Sequence, residues 1–177
     1  MCMELLNIMD ITVNYGKDEK ASVKNFNLTL QPGEIIALVG ESGSGKTTVL
    51  RSILGLLPGK GKVEQGDILF QGTSLLTLEQ KQWKNLRGTE ISMIFQDSGA
   101  MINPIRTIGD QFVEYIRMHK KVGKKEAWKR GSDMLAKMHL QDAERIMKSY
   151  PFQLSGGMRQ RVGIAMAMTF QPKILLA

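Results

Sequence analysis

The clearest chemical pattern in the sequence is a glycine-rich stretch ahead of position 48. The motif G-x-x-x-x-G-K-[ST] is matched at every fixed position by Gly40-Glu41-Ser42-Gly43-Ser44-Gly45-Lys46-Thr47. Glycines let successive backbone N–H groups point at one anion, and a helix N-terminus adds partial positive charge. Lys46 can reach the β- and γ-phosphates of a nucleotide, and the Thr47 hydroxyl can bind Mg²⁺. An ordinary glycine turn is the alternative, but the flanking segments favour a phosphate-binding loop.

A second candidate anion site lies near the carboxyl end, at Leu154-Ser155-Gly156-Gly157-Met158-Arg159-Gln160-Arg161. A Ser-Gly-Gly at a helix start offers a hydroxyl, unobstructed N–H groups and the helix dipole. The same residues also suit a plain loop with an N-cap. A phosphate loop earlier in the chain favours the anion site.

The phosphate loop needs a strand before it and a helix after it. Alternation over 23–30 predicts a half-buried strand, and Gln31-Pro32-Gly33-Glu34 predicts a type II turn. The apolar run 35–39 predicts a strand buried on both faces. Helical spacing over 49–57 ends at Pro58-Gly59. Strand, loop and helix together are typical of an α/β nucleotide-binding fold.

The rest of the chain mixes short strands with a long helical region. Strands are predicted over 66–70 and 91–95, a helix over 79–87, and the start of a strand at 174–176. Residues 107–148 carry helical signals with Thr107 as N-cap, and 157–170 predict a further helix.

Composition restricts the class of protein. The chain has 177 residues, 42% of them hydrophobic, and suits a single globular domain. The single cysteine, Cys2, excludes a disulfide framework and favours a reducing compartment. No apolar run approaches the ~18–20 residues of a membrane span, and Glu4 without a basic head argues against a secretory signal. We therefore expect a cytosolic protein.

The net charge of +7 is concentrated in one stretch of the helical region. The cations of this basic cluster are Arg117, Lys120, Lys121, Lys124, Lys125, Lys129 and Arg130. A solvated helix face is the simplest interpretation. Phosphate ligands, nucleic acid and an anionic membrane surface are the alternatives.

The motifs together resemble the ATP-binding cassette (ABC) ATPases. Residues 40–47 resemble their Walker A loop, with Thr48 beside it, and 154–160 resemble their signature motif. Gln96 resembles the Q-loop glutamine, which in the family touches Mg²⁺ and the attacking water. Tyr15 stands where the family has an aromatic stacked on adenine, although a tyrosine packed across strands is the alternative.

The resemblance implies a P-loop NTPase (RecA-like) core of α/β class, incomplete at the C-terminus. An N-terminal antiparallel β subdomain would share 1–97 with the core, a helical subdomain would fill 98–156, and 157–177 would hold the signature helix and the start of Walker B. ATP and Mg²⁺ are the implied cofactors, with Lys46 and Gln96 catalytic and Thr47 and Gln96 at the metal. Two cassettes would enclose two ATP molecules, the signature motif of each acting on the ATP of the other.

A closer resemblance is to the importers of dipeptides, oligopeptides and nickel. It rests on 40–47, 93–97, Asn103-Pro104, 107–111, Tyr150-Pro151 and 158–162, whereas 98–102 departs from the pattern. The implied partners are a second ATPase subunit, identical or paralogous, transmembrane permease subunits and, indirectly, an extracytoplasmic binding protein. The implied location is the cytoplasmic face of the membrane, peripherally bound, with no nucleic acid expected.

Residues 173–177 resemble the start of the Walker B strand, and the family's Asp, Glu and switch histidine do not follow in this sequence. His119 and His139 lie far upstream and are given no role. We expect Mg-ATP binding with little hydrolysis from this chain. A nucleotide-binding protein without turnover and a non-transport ABC ATPase acting on nucleic acid or the ribosome are the alternatives.

Overall fold

The computed structural model describes residues 4–16, 21–95 and 102–177. The chain divides into two compact units, residues 1–83 (unit 1) and 84–177 (unit 2). The boundary falls within helix α2 (Gln80–Leu86). The predicted subdomain boundary after residue 97 lies outside the described residues, and the predicted division at 156 stays a prediction.

Unit 1 is built on an antiparallel sheet. Its strands are β1 (Leu6–Asn14), β2 (Val23–Leu30), β3 (Lys62–Phe70) and β4 (Thr73–Ser74), in the spatial order β2-β1-β3-β4. The central strand β1 buries Leu6, Ile8, Ile11 and Val13. The antiparallel β subdomain expected from the resemblance is therefore confirmed, as is the strand over 23–30.

The loop and helix that carry the phosphate motif follow β2. Gly33 has φ +79°, and the Glu34 N–H donates to the Gln31 carbonyl at 3.2 Å, as the predicted type II turn requires. Helix α1 (Lys46–Ile53) ends four residues before the predicted Leu57, because Leu54 caps it and the Gly55 N–H bonds back to Ser52.

The predicted buried strand over 35–39 is wrong. These residues form no strand, and Ile35 and Val39 are 96% and 94% exposed. An apolar run becomes a buried strand only where neighbouring strands take up its backbone N–H and C=O groups. No such neighbour pairs with 35–39 among the described residues.

Unit 2 combines a helical core with a short parallel strand pair. Its helices are α3 (Ile108–His119), α4 (Lys124–Lys137), α5 (Ala143–Lys148) and α6 (Gly156–Met168), with a 3₁₀ turn over Pro151–Gln153. Fully buried Phe112, Ile116, Leu135 and Ile146 lie at its centre. The helices predicted over 107–148 and 157–170 are confirmed, with breaks that the sequence pattern did not place.

The strand pair of unit 2 consists of β5 (Ile91–Met93) and β6 (Ile174–Leu176). They are parallel, with Ile91 opposite Ile174 and Met93 opposite Leu176. The strand predicted over 91–95 is present but shorter. Among the residues that the structure describes, no helix has the length and apolar character needed to cross a membrane.

Candidate functional site

The phosphate motif forms a tight loop that leads directly into α1. The Ser44 N–H donates to the Glu41 carbonyl at 3.2 Å, and Gly43 and Gly45 have φ values of +84° and +93°. Residues 40–44 are exposed. Gly45 is the N-cap of α1, and no side chain caps the helix there. The first N–H groups of α1 are thus left for a ligand at the end where a helix attracts anions.

The last glycine of the loop is required by its surroundings as well as by its backbone angle. A Cβ at Gly45 would lie 2.6 Å from the Ser22 carbonyl oxygen and 2.8 Å from Val23 Cγ2. The start of β2 therefore supports the loop from beneath. Ser22 belongs to no sequence motif that would predict this role, because its contact with Gly45 joins segments 23 residues apart in the sequence.

Lys46 holds its ammonium group within the loop. Its Nζ donates to the carbonyls of Gly40 and Glu41, each at 2.7 Å, and lies 3.3 Å from Ser44 Oγ. A Cβ at Gly40 would lie 2.7 Å from the same Ser44 Oγ, so the loop is closed around this point. A fixed positive charge beside inward-turned N–H groups is the arrangement that binds phosphate oxygens.

The two threonines after Lys46 occupy different environments. Thr47 is exposed, and its hydroxyl has no partner among the described residues. Thr48 Oγ1 lies 3.2 Å from the hydroxyl of Tyr15. Thr47 is accordingly the hydroxyl open to a ligand.

Tyr15 lies next to the first turn of α1, just beyond the end of β1. Its ring packs against Gly61, where an added Cβ would come within 2.6 Å of Tyr15 Cε1. The antiparallel β1–β3 register ends at Asn14 with Lys62 and brings Tyr15 opposite Gly61, so the cross-strand packing considered from the sequence also fits this position, and the stacking on adenine stays a prediction. The structure thus brings Tyr15, Thr48 and the loop together within unit 1.

The second motif forms the N-terminus of α6 in unit 2. Ser155 is its N-cap, and the Met158 N–H donates to Ser155 Oγ at 3.3 Å. Gly156 and Gly157 are exposed, and no atom of the described part of the chain lies within 4 Å of a Cβ added at either one. The space beside these two glycines is therefore open to a ligand.

The neighbouring residues of the motif anchor it. Leu154 is buried, and its carbonyl accepts from Arg159 Nη1 at 2.6 Å. Met158 packs against the helical core, whereas Gln160 is exposed. The motif thus has a fixed base and an open Ser-Gly-Gly tip.

Gln96 lies outside the described residues. The described strand that precedes it is β5, and the Ile94 N–H donates to the Leu176 carbonyl at 2.8 Å. The carboxyl ends of the parallel strands β5 and β6 therefore lie at one sheet edge, which is where α/β folds bind ligands.

A ring cluster in unit 2 contains one of the two histidines. Tyr115, His119 and Phe170 have ring centroids 5.3–5.5 Å apart. Tyr115 donates to the Gly88 carbonyl at 3.0 Å, and burial raises its pKa to about 12. Burial, and then the positive charges of Lys84 and Lys120, lower the pKa of His119. This is a packing cluster rather than part of either anion site.

Comparison with known proteins gives a family match. The model of the family described as ABC transporter matches residues 23–177. The dipeptide transport ATP-binding protein DppD of Bacillus subtilis is 43% identical over 178 residues, covering 98% of this chain and 53% of that protein. The oligopeptide transport ATP-binding protein OppD of Escherichia coli is 39% identical, covering 98% and 52%. The chain spans about half the length of the curated relatives it matches.

Solved structures give the same result. A dimeric ATP-binding cassette in a post-hydrolysis state, bound to ADP and Pi, matches with a TM-score of 0.81 and 27% identity, over 96% of this chain and 72% of that one. The cassette cbiO1 of Clostridium perfringens, part of the transporter complex cbiONQ, matches with a TM-score of 0.78 and 26% identity, over 97% and 64%. The predicted fold class is confirmed.

Proposed function

Since the chain belongs to the ABC transporter family, we propose that it is the nucleotide-binding part of a peptide importer's ATPase subunit. The relatives named above are dipeptide and oligopeptide transport proteins, which favours a peptide cargo over the nickel-type alternative. The same names support action in transport rather than on nucleic acid or the ribosome. A location on the cytoplasmic face of the membrane, bound to permease subunits, follows from that role.

The observation that carries the proposal is the loop over residues 40–47. It holds the Lys46 ammonium against the Gly40 and Glu41 carbonyls and leads into the uncapped start of α1, an arrangement that suits the β- and γ-phosphates of ATP. Tyr15, beside Thr48, would take the base by stacking. Residues 40–48 and Tyr15 are the proposed nucleotide-binding residues.

The Thr47 hydroxyl is suited to bind a magnesium ion whose other ligands would include phosphate oxygens of the nucleotide. Thr47 is exposed at the first turn of α1, and its hydroxyl has no hydrogen-bond partner among the described residues. Gln96, the second proposed ligand, lies outside the described residues. Within the described ranges, no three His, Cys, Asp or Glu side chains come together as a metal site of their own. When bound, Mg²⁺ would neutralise phosphate charge and thereby ease phosphoryl transfer.

The open tip at Ser155, Gly156 and Gly157 is the proposed site for the γ-phosphate of a second cassette. Its exposed N–H groups and hydroxyl, at the amino end of a 13-residue helix, suit an anion brought by a partner subunit. A solved relative is dimeric, which supports pairing of two cassettes. ATP would then hold the pair together, and its hydrolysis would release it.

Replacement of the loop lysine tests the proposal. We expect Lys46→Ala to weaken ATP binding at least tenfold, because a charge-assisted hydrogen bond contributes about 1.5–3 kcal/mol. Lys60→Ala, at an exposed lysine outside the loop, is the matched control. Calorimetric titration with Mg-ATP measures both. Equal affinity of the two variants would refute the phosphate-site assignment.

A turnover assay on the unmodified chain separates hydrolysis from binding. Phosphoryl transfer needs a positioned water and a full set of metal ligands as well as the loop. We expect Mg-ATP to bind with little phosphate release. Steady release that Lys46→Ala removes would show that the residues present suffice for catalysis.

A further inference from the structure

The strongest charge feature that the proposed function does not use is a groove in unit 2. It has a volume of about 830 Å³ and runs beside α3 and the start of α4. Its lining combines five cations, two acids and three apolar side chains: Arg106, Arg117, Lys120, Lys121, Lys124, Asp110, Glu114, Val113, Met118 and Val122. Part of the basic cluster noted in the sequence thus forms one wall.

Both acids of the groove are already paired. Glu114 accepts from Arg106, and Asp110 lies 4.0 Å from Lys124. Arg117, Lys120 and Lys121 have no ion-pair partner among the described residues. Among the described residues, the groove therefore carries three positive charges without an ion-pair partner.

The cations of the basic cluster lie on the protein surface, where they could contact an extended surface such as a membrane. All seven cations of the basic cluster are exposed, as the sequence predicts, but they are divided between the end of α3, residues 120–123 and α4. Met118 lies among them and is 57% exposed. An exposed apolar side chain beside Lys and Arg can enter the headgroup region of a bilayer while the cations meet anionic lipids.

We propose that this groove binds the phosphate groups of anionic phospholipids and thereby holds the helical unit against the membrane surface. Lys and Arg side chains near an anionic membrane leaflet are attracted to it, and each contributes about 1 kcal/mol to binding. Among the described residues, the groove lining contains no aromatic side chain on which a base could stack, which argues against binding of single-stranded nucleic acid by stacking. The proposal does not depend on nucleotide, so its failure leaves the nucleotide-binding assignment intact.

The first test is sedimentation of the purified chain with vesicles, without nucleotide. We expect binding to vesicles of equal parts phosphatidylglycerol and phosphatidylcholine, and little binding to phosphatidylcholine alone. High salt should release the chain, because the Debye length falls from about 10 Å at 0.1 M to about 3 Å at 1 M salt. Equal binding to both vesicles would overturn the proposal.

The second test locates the binding surface. Lys120→Gln with Lys121→Gln should weaken binding to the anionic vesicles about 30-fold, a factor of about five for each cation. Lys137→Gln with Lys148→Gln removes the same charge at exposed positions outside the groove and should change binding far less. Circular dichroism checks that both variants are folded. An equal loss in the two pairs would overturn the proposal.

A competition experiment tests whether the groove binds phospholipid or free phosphate. Inorganic phosphate should displace the chain from the vesicles no better than chloride at the same ionic strength. Selective displacement by phosphate would identify the groove as a small-anion site and would overturn its assignment to the membrane surface.

Discussion

We expect Gly45→Ala to destabilise unit 1 far more than Gly43→Ala, although both glycines belong to the same loop. Both have positive φ, +93° and +84°, so alanine costs about 1–2 kcal/mol at each position through the left-handed backbone alone. Only at Gly45 does the new Cβ meet other atoms, with the Ser22 carbonyl oxygen at 2.6 Å. That oxygen belongs to the backbone and cannot rotate away.

The overlap adds about 1–3 kcal/mol, the usual cost of forcing extra volume into a packed site. The expected losses in the free energy of unfolding are therefore about 2–5 kcal/mol for Gly45→Ala and about 1–2 kcal/mol for Gly43→Ala. No atom of the described residues lies within 4 Å of an added Cβ at Gly43, so that variant measures the backbone cost by itself.

Urea unfolding followed by tryptophan fluorescence measures the difference. The chain has two tryptophans, and Trp83 is buried in unit 1. In a Trp128→Phe background the signal comes from Trp83 alone, and both variants are compared there. Equal losses for the two alanines would refute the role assigned to the support beneath Gly45.

Two further predictions concern unit 2. Ser155→Ala should lower the free energy of unfolding by about 1 kcal/mol, because α6 loses its N-cap, whereas Ser155→Asp should retain the cap. Urea unfolding measures both variants, and an alanine variant as stable as the unmodified chain would contradict the role of the cap. Because the folded state lowers the pKa of His119, the stability from its neutral form is present above pH ~6.5 and is lost as the pH falls through the lower folded pKa. His119→Asn should flatten this acid-side loss in thermal unfolding between pH 7.5 and 5. A pH profile identical to that of the unmodified chain would argue against the effect.

The features that the sequence determined by itself are governed by near neighbours. The turn at Gly33, the N-caps Thr107 and Ser155 and the start of α1 at Lys46 each depend on contacts within a few residues. The motif around Lys46 carries its own glycines, so its loop could also be predicted. Exposure of the basic cluster was predictable because solvating a run of charges requires no particular tertiary contact.

The features that were missed depend on partners far along the chain. The central strand β1 was not predicted, because its buried residues Ile8 and Ile11 are three positions apart and do not follow the period of two. A register irregularity between them, where Asp10 has φ +47°, lets both side chains be buried. The run over 35–39 was predicted to be buried, but burial depends on neighbouring strands, which sequence pattern does not reveal.

Tertiary structure alone decided how the chemical groups are surrounded. Ser22 lies beneath Gly45, and Tyr15 lies against Gly61 and Thr48, through contacts between segments that no local pattern relates. The charge of the groove depends on which acids reach which cations. The fold pairs Glu114 with Arg106 and Asp110 with Lys124, whereas Arg117, Lys120 and Lys121 have no ion-pair partner among the described residues. Residue type and spacing thus set which chemistry is available, whereas long-range packing sets which groups remain open to a ligand.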